Sequence, residues 1–301
     1  MKIGIALSGG GVKGAAHIGV LKALEEENIT ISAIAGTSIG SAVASLYAMG
    51  YTPDEMLELF RYFAKTLLKA DPKYLMSNIK TTRSILGKGI LSGESIEEAI
   101  QECARLKNIQ YITELKIPIA IPTVDIKTKK KIVFTNRKLD ETQYLAKVEG
   151  KEGEYIAKQN EENNTYINKI EIGKAVRASC SYPGVFAPLE YENYKFVDGG
   201  VLNNVPTEEL PLLGVDKIIT VKFPPKENEN PRHALDILFR CVDIGFEDRD
   251  NSKIHHSDFT LDIPLISSSV FNVKKLDTCY EEGYKVAKEQ MKKLKKACSI
   301  E

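Results

Sequence analysis

Ser38, set between two glycines in Gly36-Thr37-Ser38-Ile39-Gly40, is the residue of this sequence best placed to act as a nucleophile. G-x-S-x-G is the pattern of a sharp strand-to-helix turn. It holds a serine in a strained backbone with its hydroxyl clear, and puts glycine where the two elements cross too closely for side chains. The context fits. Residues 29–35 form an apolar run with three isoleucines, suited to a buried parallel strand. A small-residue helix is predicted over 41–49, closed by Gly50. The plain alternative is an ordinary strand–helix turn with Ser38 as the helix cap. A helix start beneath the serine also supplies free N–H groups and the positive end of a dipole, both of which favour a developing oxyanion. The chemistry indicated is attack on an acyl carbonyl.

A second motif, Ser8-Gly9-Gly10-Gly11-Val12-Lys13-Gly14, follows the first apolar strand and opens the first helix. Gly9, Gly11 and Gly14 satisfy G-x-G-x-x-G, so dinucleotide binding has to be weighed. That use needs an acidic residue about 20 positions on, at the end of the second strand. Here that strand ends in Ala35-Gly36-Thr37, with no acid, and the Walker A spacing after Lys13 also fails. The loop can instead present successive amides to an anion. In a hydrolase this is the tetrahedral oxyanion, with Gly9, Gly10, Gly11 and Gly14 as the donor loop and Ile39 as a further donor. Lys13 either steadies the loop, attracts a phosphate or is a solvated lysine of the first turn. A third cluster, Phe196-Val197-Asp198-Gly199-Gly200, ends a strand in an aspartate followed by two glycines; its plain alternative is a surface turn.

Together, residues 9–14, 36–40 and 198–200 resemble the three blocks of the patatin-like phospholipase family: a glycine loop, G-x-S-x-G and D-G-[GA]. Residues 177–188 and Thr123-Val124-Asp125 also resemble family segments, the latter with Val124 interrupting the usual Thr-Asp. The resemblance spans roughly residues 3–225. It implies a Ser38–Asp198 dyad in which Asp198 takes the serine proton directly, with no cofactor or metal. The residues alone leave a histidine triad open, because His233, His255 and His256 all follow Asp198 in the order of ordinary α/β-hydrolases.

These motifs need a scaffold of alternating strands and helices. Helices are predicted near 14–27, 53–70, 92–105 (opening with a capping box at Ser95), 172–178, 207–213, 234–248 and 277–298. Strands are predicted at 2–8, 117–125, 131–136, 194–197, 217–223 and 259–263. The alternation implies a three-layer α/β/α fold with a mostly parallel central sheet, as a single domain over 1–301. Residues 138–164 are a polar insertion, and a terminal strand and helices occupy 231–301. Residues 73–76, with the helix before them, suit core packing better than a lipid-contacting lid, and the lysines at 127–131 suit a solvated hairpin tip.

Lysine plus arginine balances aspartate plus glutamate at 41 each, so no global field attracts nucleic acid. The apolar stretch at the amino terminus is too short for a signal peptide, and no later run would span a membrane. The five cysteines are widely spaced and read as reduced, mostly buried thiols, which points to a cytoplasmic protein that meets membranes transiently at most. The expected activity is release of fatty acid from phospholipids or other lipid esters. An acyl-CoA thioesterase or carboxylesterase with the same dyad, and a non-catalytic lipid-binding protein, are the alternatives.

Overall fold

The fold begins with a βαβ unit that already carries two of the three motifs. In the computed structural model, which describes residues 1–69, 91–137, 146–147, 157–158, 165–224, 244, 256–265 and 273–300, β1 (Ile3–Leu7) leads through the glycine loop into α1 (Gly14–Glu26) and back to β2 (Ile31–Gly36). The elbow then opens α2 (Ile39–Ala48), followed by α3 (Pro53–Lys69) and α4 (Glu94–Leu106). A hairpin of β3 (Ile119–Asp125) and β4 (Lys130–Thr135) comes next. The short pair β5 (Ala146–Lys147) and β6 (Ala157–Lys158), then β7 (Thr165–Ile167) and α5 (Ile172–Ser179), lead to a second hairpin, β8 (Leu189–Tyr191) and β9 (Tyr194–Asp198). The single turn α6 (Gly200–Asn203), then β10 (Lys217–Lys222), β11 (Phe259–Asp262) and α7 (Leu276–Ala297) complete the described elements.

Among the described residues nine strands form one sheet, in the path β11-β10-β1-β2-β3-β4-β7. The stretch from β11 to β3 is parallel throughout; β4 turns back antiparallel on β3, and β7 runs parallel to β4. This is the mostly parallel α/β architecture expected. Every residue of β1 is buried, as is typical of a parallel strand covered on both faces. The order reverses at β1: the chain steps to β2 on one side and later returns to β10 on the other, and the crevice beyond such a switch point is where open α/β sheets bind ligands.

The edge of β3 facing β2 is shared by two strands. Ile34 and Ala35 of β2 pair parallel with Ile119 and Ala120. Further along the same edge Asp198, Val197 and Phe196 of β9 pair antiparallel with Thr123, Val124 and Asp125. β2 and β9 therefore end facing each other across the middle of β3.

Several local expectations are corrected. Ser95 caps nothing: α4 starts after Gly93, whose φ of 79° supplies the turn, and Ser95 lies inside its first turn. Residues 207–213 form two short 3₁₀ turns rather than a helix, since Pro211 removes an amide the helix would need. Lys131 is not part of a solvated tip. It sits in β4, 5% exposed, with its ammonium on the carboxylates of Glu208 and Glu209. β7 and β8 were not anticipated, being only three residues each. The predicted helix at 234–248, residues 73–76 and most of the insertion at 138–164 lie outside the described residues. Among the described residues no helix is long and apolar enough to cross a membrane, and Cys103, Cys180, Cys279 and Cys298 are buried free thiols.

α7 covers the outer face of α1. The helices cross at Gly19 and Gly283: a Cβ on Gly19 would meet the Tyr280 carbonyl, and one on Gly283 the Ala16 carbonyl. Glu27 anchors the crossing to Lys288 and Lys295, both at 2.8 Å. Alanine is the better helix former by about 1 kcal/mol, so Gly283→Ala would strengthen the isolated helix. In the folded protein we expect a net loss of about 2 kcal/mol from the forced separation. Urea unfolding measures it, and a variant that unfolds at or above the wild-type midpoint refutes the crossing.

Candidate active site

Ser38 adopts φ 54° and ψ −127°, a combination β-carbon-bearing residues rarely occupy. Packing imposes it. A Cβ on Gly36 would collide with the Gly40 carbonyl and one on Gly40 with the Leu7 carbonyl, so strand and helix meet backbone to backbone on either side of the serine. The strained turn is tied on three sides. Ser38 N–H donates to Ser179 Oγ (2.9 Å), and that hydroxyl donates to the Pro122 carbonyl (2.7 Å). Thr37 Oγ1 donates to the Asn203 carbonyl (2.8 Å), and Ser41 Oγ to the Ser38 carbonyl (2.6 Å).

Asp198 arrives from the opposite direction at the end of β9. Its N–H donates to the Ser181 carbonyl (3.0 Å) and the Gly199 N–H to that of Ser179 (3.3 Å), so the last residue of α5 and the turn just after it hold both the serine and the aspartate. Gly199 rests against the Pro122 carbonyl and Thr37 Cγ2, where a side chain would not fit. The carboxylate is 1% exposed. Its Oδ1 accepts the Gly200 N–H (2.8 Å), while Oδ2 has no aligned partner among the described residues. Burial pushes this carboxyl up to about 7, opposed first by the neighbouring Ser38 hydroxyl and then by the Gly200 amide. The hydroxyl thus stands beside the carboxylate without being lined up on Oδ2. Burial also pushes the Cys180 thiol well up, reinforced by Asp198, so it stays protonated and is not a rival nucleophile.

The glycine loop lies alongside. A Cβ on Gly9 would be flanked by Asn204 Oδ1 (2.5 Å) and Ser38 Cβ (3.2 Å), and one on Gly14 would strike Ile39. Gly11 has φ 59°. Two of the expected donors are already engaged: Gly9 N–H binds Asn204 (3.2 Å), and Gly14 N–H closes the 3₁₀ turn onto the Gly11 and Val12 carbonyls. The amides of Gly10, Gly11 and Ile39 donate to no acceptor among the described residues. The available donor set is therefore narrower than the motif suggested.

Lys13 is buried with its ammonium 5.5 Å from the Phe223 ring centroid, and that ring also packs on Gly10. It is therefore not the solvated lysine of a first helical turn. Of the histidines, His256 is exposed, His233 and His255 lie outside the described residues, and His17 donates to the Ser8 carbonyl. Among the described residues no histidine bonds to Ser38 or Asp198, and no cluster of three His, Cys, Asp or Glu could hold a metal. Asp125 is structural: it accepts from Thr128 Oγ1 (2.6 Å) and the amides of Thr128, Lys195 and Lys127, knotting the two hairpins together. Burial alone would raise its carboxyl, but these bonds hold it below the ordinary value. Sequence reasoning missed Ser179, Asn204 and His17. Ser179 lay within a segment already noted, yet its contact with Ser38 spans 141 positions.

Residues 5–211 match the patatin-like phospholipase family. An uncharacterised NTE family protein of Mycobacterium tuberculosis is 29% identical over 248 residues, covering 80% of this chain and 56% of that protein. Lysophospholipase NTE1 of Mycosarcoma maydis is 28% identical over 246 residues, covering 79% of this chain and 10% of that one. The chain thus spans about half the length of the mycobacterial relative and a tenth of the fungal one. Human GIVD cytosolic phospholipase A2 in complex with methyl gamma-linolenyl fluorophosphonate has the same fold, with TM-score 0.53 at 12% identity over 99% of this chain and 58% of that one.

The raised carboxyl has a consequence for stability. Its native pKa lies above the unfolded value, so the stability this group contributes is full below about pH 4. It is lost as pH rises to about 7, where the native carboxyl ionises. The loss is on the order of 4 kcal/mol. Asp198→Asn removes the ionisation, so the variant should melt with the wild type near pH 4 and increasingly above it up to pH 8. A variant less stable than wild type at pH 8 would mean that the carboxylate is held for structure.

Proposed function

The chain belongs to the patatin-like phospholipase family, and on that premise we propose that it releases fatty acids from phospholipid or lysophospholipid esters through Ser38 and Asp198. The observation that carries this reading is a buried carboxylate with one oxygen unaligned, set against a hydroxyl on a strained turn. The family supplies the lipid substrate class, and a relative named lysophospholipase agrees with it. Such substrates are held in lipid aggregates, so the protein works at a membrane surface from the aqueous side.

In the mechanism, Ser38 Oγ attacks the ester carbonyl carbon as its proton passes to Asp198 Oδ2. The carbonyl electron pair moves onto oxygen, which the amides of Gly10, Gly11 and Ile39 stabilise. As the tetrahedral intermediate collapses, the bond to the leaving alcohol breaks and Asp198 returns the proton to it. Water then enters, gives a proton to Asp198 and attacks the acyl-serine; on the second collapse the bond to Ser38 Oγ breaks, Asp198 returns the proton to that oxygen, and the fatty acid is freed. Burial suits Asp198 to both roles, because a carboxyl near neutrality accepts and returns a proton with little penalty. Lys13, stacked on Phe223, keeps the donor loop in place.

Fatty-acid release from lysophosphatidylcholine and phosphatidylcholine vesicles tests the assignment. Ser38→Ala and Asp198→Asn should each lose on the order of 10³-fold or more in kcat; retained activity in Ser38→Ala sinks it. With a soluble short-chain ester, kcat/KM of the wild type should climb about tenfold per pH unit below pH 7 and level off above, as the base ionises. A profile flat between pH 5 and 8 would remove Asp198 from the role of base.

A further inference from the structure

The glycine loop leaves β1 through the Ser8–Gly9 peptide, and both polar ends of that one peptide are held by side chains distant in sequence. The Ser8 carbonyl accepts a hydrogen bond from His17 Nε2 at 2.8 Å. Since a carbonyl only accepts, Nε2 carries the ring proton. The Gly9 N–H is bound by both Asn204 Oδ1 and the Asn204 carbonyl, each at 3.2 Å. Both holding groups are fixed. The His17 ring is wholly buried and packed 4.8 Å from that of Phe223, and the turn before Asn204 is tied to the elbow through Asn203 and Thr37. Burial pushes the His17 imidazole down to about 4, so it remains a neutral donor across the working pH range.

A peptide gripped at both ends cannot rotate about its flanking bonds, although the next residues are glycines with little conformational preference of their own. From this arrangement we propose that His17 and Asn204 are positioning residues, which fix the Ser8–Gly9 plane so that the amides of Gly10 and Gly11, unengaged among the described residues, face the oxygen of the carbonyl attacked by Ser38. The inference rests on the reading of Ser38 as nucleophile and of the loop as the oxyanion site. Neither residue touches the reacting atoms in this scheme. They act through the loop, and their removal weakens hydrogen bonding to the oxyanion without altering substrate binding.

The test compares an acyl ester with its thionoester, in which the carbonyl oxygen is sulfur, a larger and poorer hydrogen-bond acceptor. A well-aligned donor set discriminates strongly between them, and a loosened one does so less. Wild type, Ser38→Ala, Asn204→Leu, His17→Phe and His17→Gln are assayed on both esters. Asn204→Leu keeps the side chain's size without its acceptor, and His17→Phe keeps an aromatic ring without its donor. Each should lower kcat on the oxygen ester about 10- to 100-fold with KM within about twofold, and should shrink the oxygen-to-sulfur rate ratio. His17→Gln, which can still donate to the Ser8 carbonyl, should move the ratio back towards wild type. Partial unfolding lowers both rates together and leaves the ratio alone. An inactive Ser38→Ala with an unchanged ratio in Asn204→Leu and His17→Phe overturns the positioning role alone. An active Ser38→Ala overturns the reading beneath it as well.

Discussion

Two strands that end head to head on one edge of β3 are the constraint on which the rest of this structure depends. β2 runs up that edge and β9 runs down it, and the two stop on either side of Pro122. Whatever follows their last residues must meet in the gap. After β2 comes Ser38, at the end of β9 comes Asp198, and 160 positions of chain collapse to adjacency. No loop has to be guided into place, because backbone ladders set the separation. The residual freedom is removed by Ser179, whose hydroxyl spans the gap from Pro122 to Ser38, and by the carbonyls of Ser179 and Ser181, which take the amides on either side of the Asp198 carbonyl carbon.

The site built there consists of groups that would each be unfavourable elsewhere. A serine at positive φ, a carboxylate driven towards neutrality by burial and several amides without acceptors among the described residues all oppose folding locally. They persist because their surroundings leave no alternative. β1 is wholly buried and α1 nearly so, the outer face of α1 is covered by α7, and the buried Lys131 with Glu208 and Glu209 secures the segment after Asn203. Unfavourable local geometry is offset by a continuous core, and so it remains available for chemistry.

The position of the glycine loop follows from the same topology. The strand order reverses between β10 and β1, the kind of switch point beyond which open α/β sheets bind ligands, and the glycine loop leaves β1 there. Phe223, just past β10, packs against Gly10, Lys13 and His17 on one side of the loop. The residues after Asp198 hold it from the other side. Asn203 reaches the elbow and Asn204 the loop, which makes the stretch from Asp198 to Asn204 a single brace for the aspartate, the serine turn and the glycine loop.

By itself the sequence determined the parts whose physics is local. Glycines at 36 and 40 mark a strand–helix crossing wherever it occurs, an apolar run with three isoleucines reads as a buried strand, and the missing acid at Ala35-Gly36-Thr37 bears on the loop's use without any coordinates. The alternation of elements likewise fixed the α/β class. Where neighbours far along the chain hold the answer, the sequence was silent or misleading. Lys131 looks like one more lysine in a basic turn, yet strand register points it inward at two glutamates more than 70 positions away. Gly9 looks like an oxyanion donor until Asn204 is seen to hold its amide, and His17 looks like a helix residue until its ring meets the Ser8 carbonyl. Ser38 could be picked out as a strained turn, but its separation from Asp198 could not be read. Spacing along a chain encodes only what lies within a turn or two, and which strands share an edge of β3 is decided by the sheet as a whole.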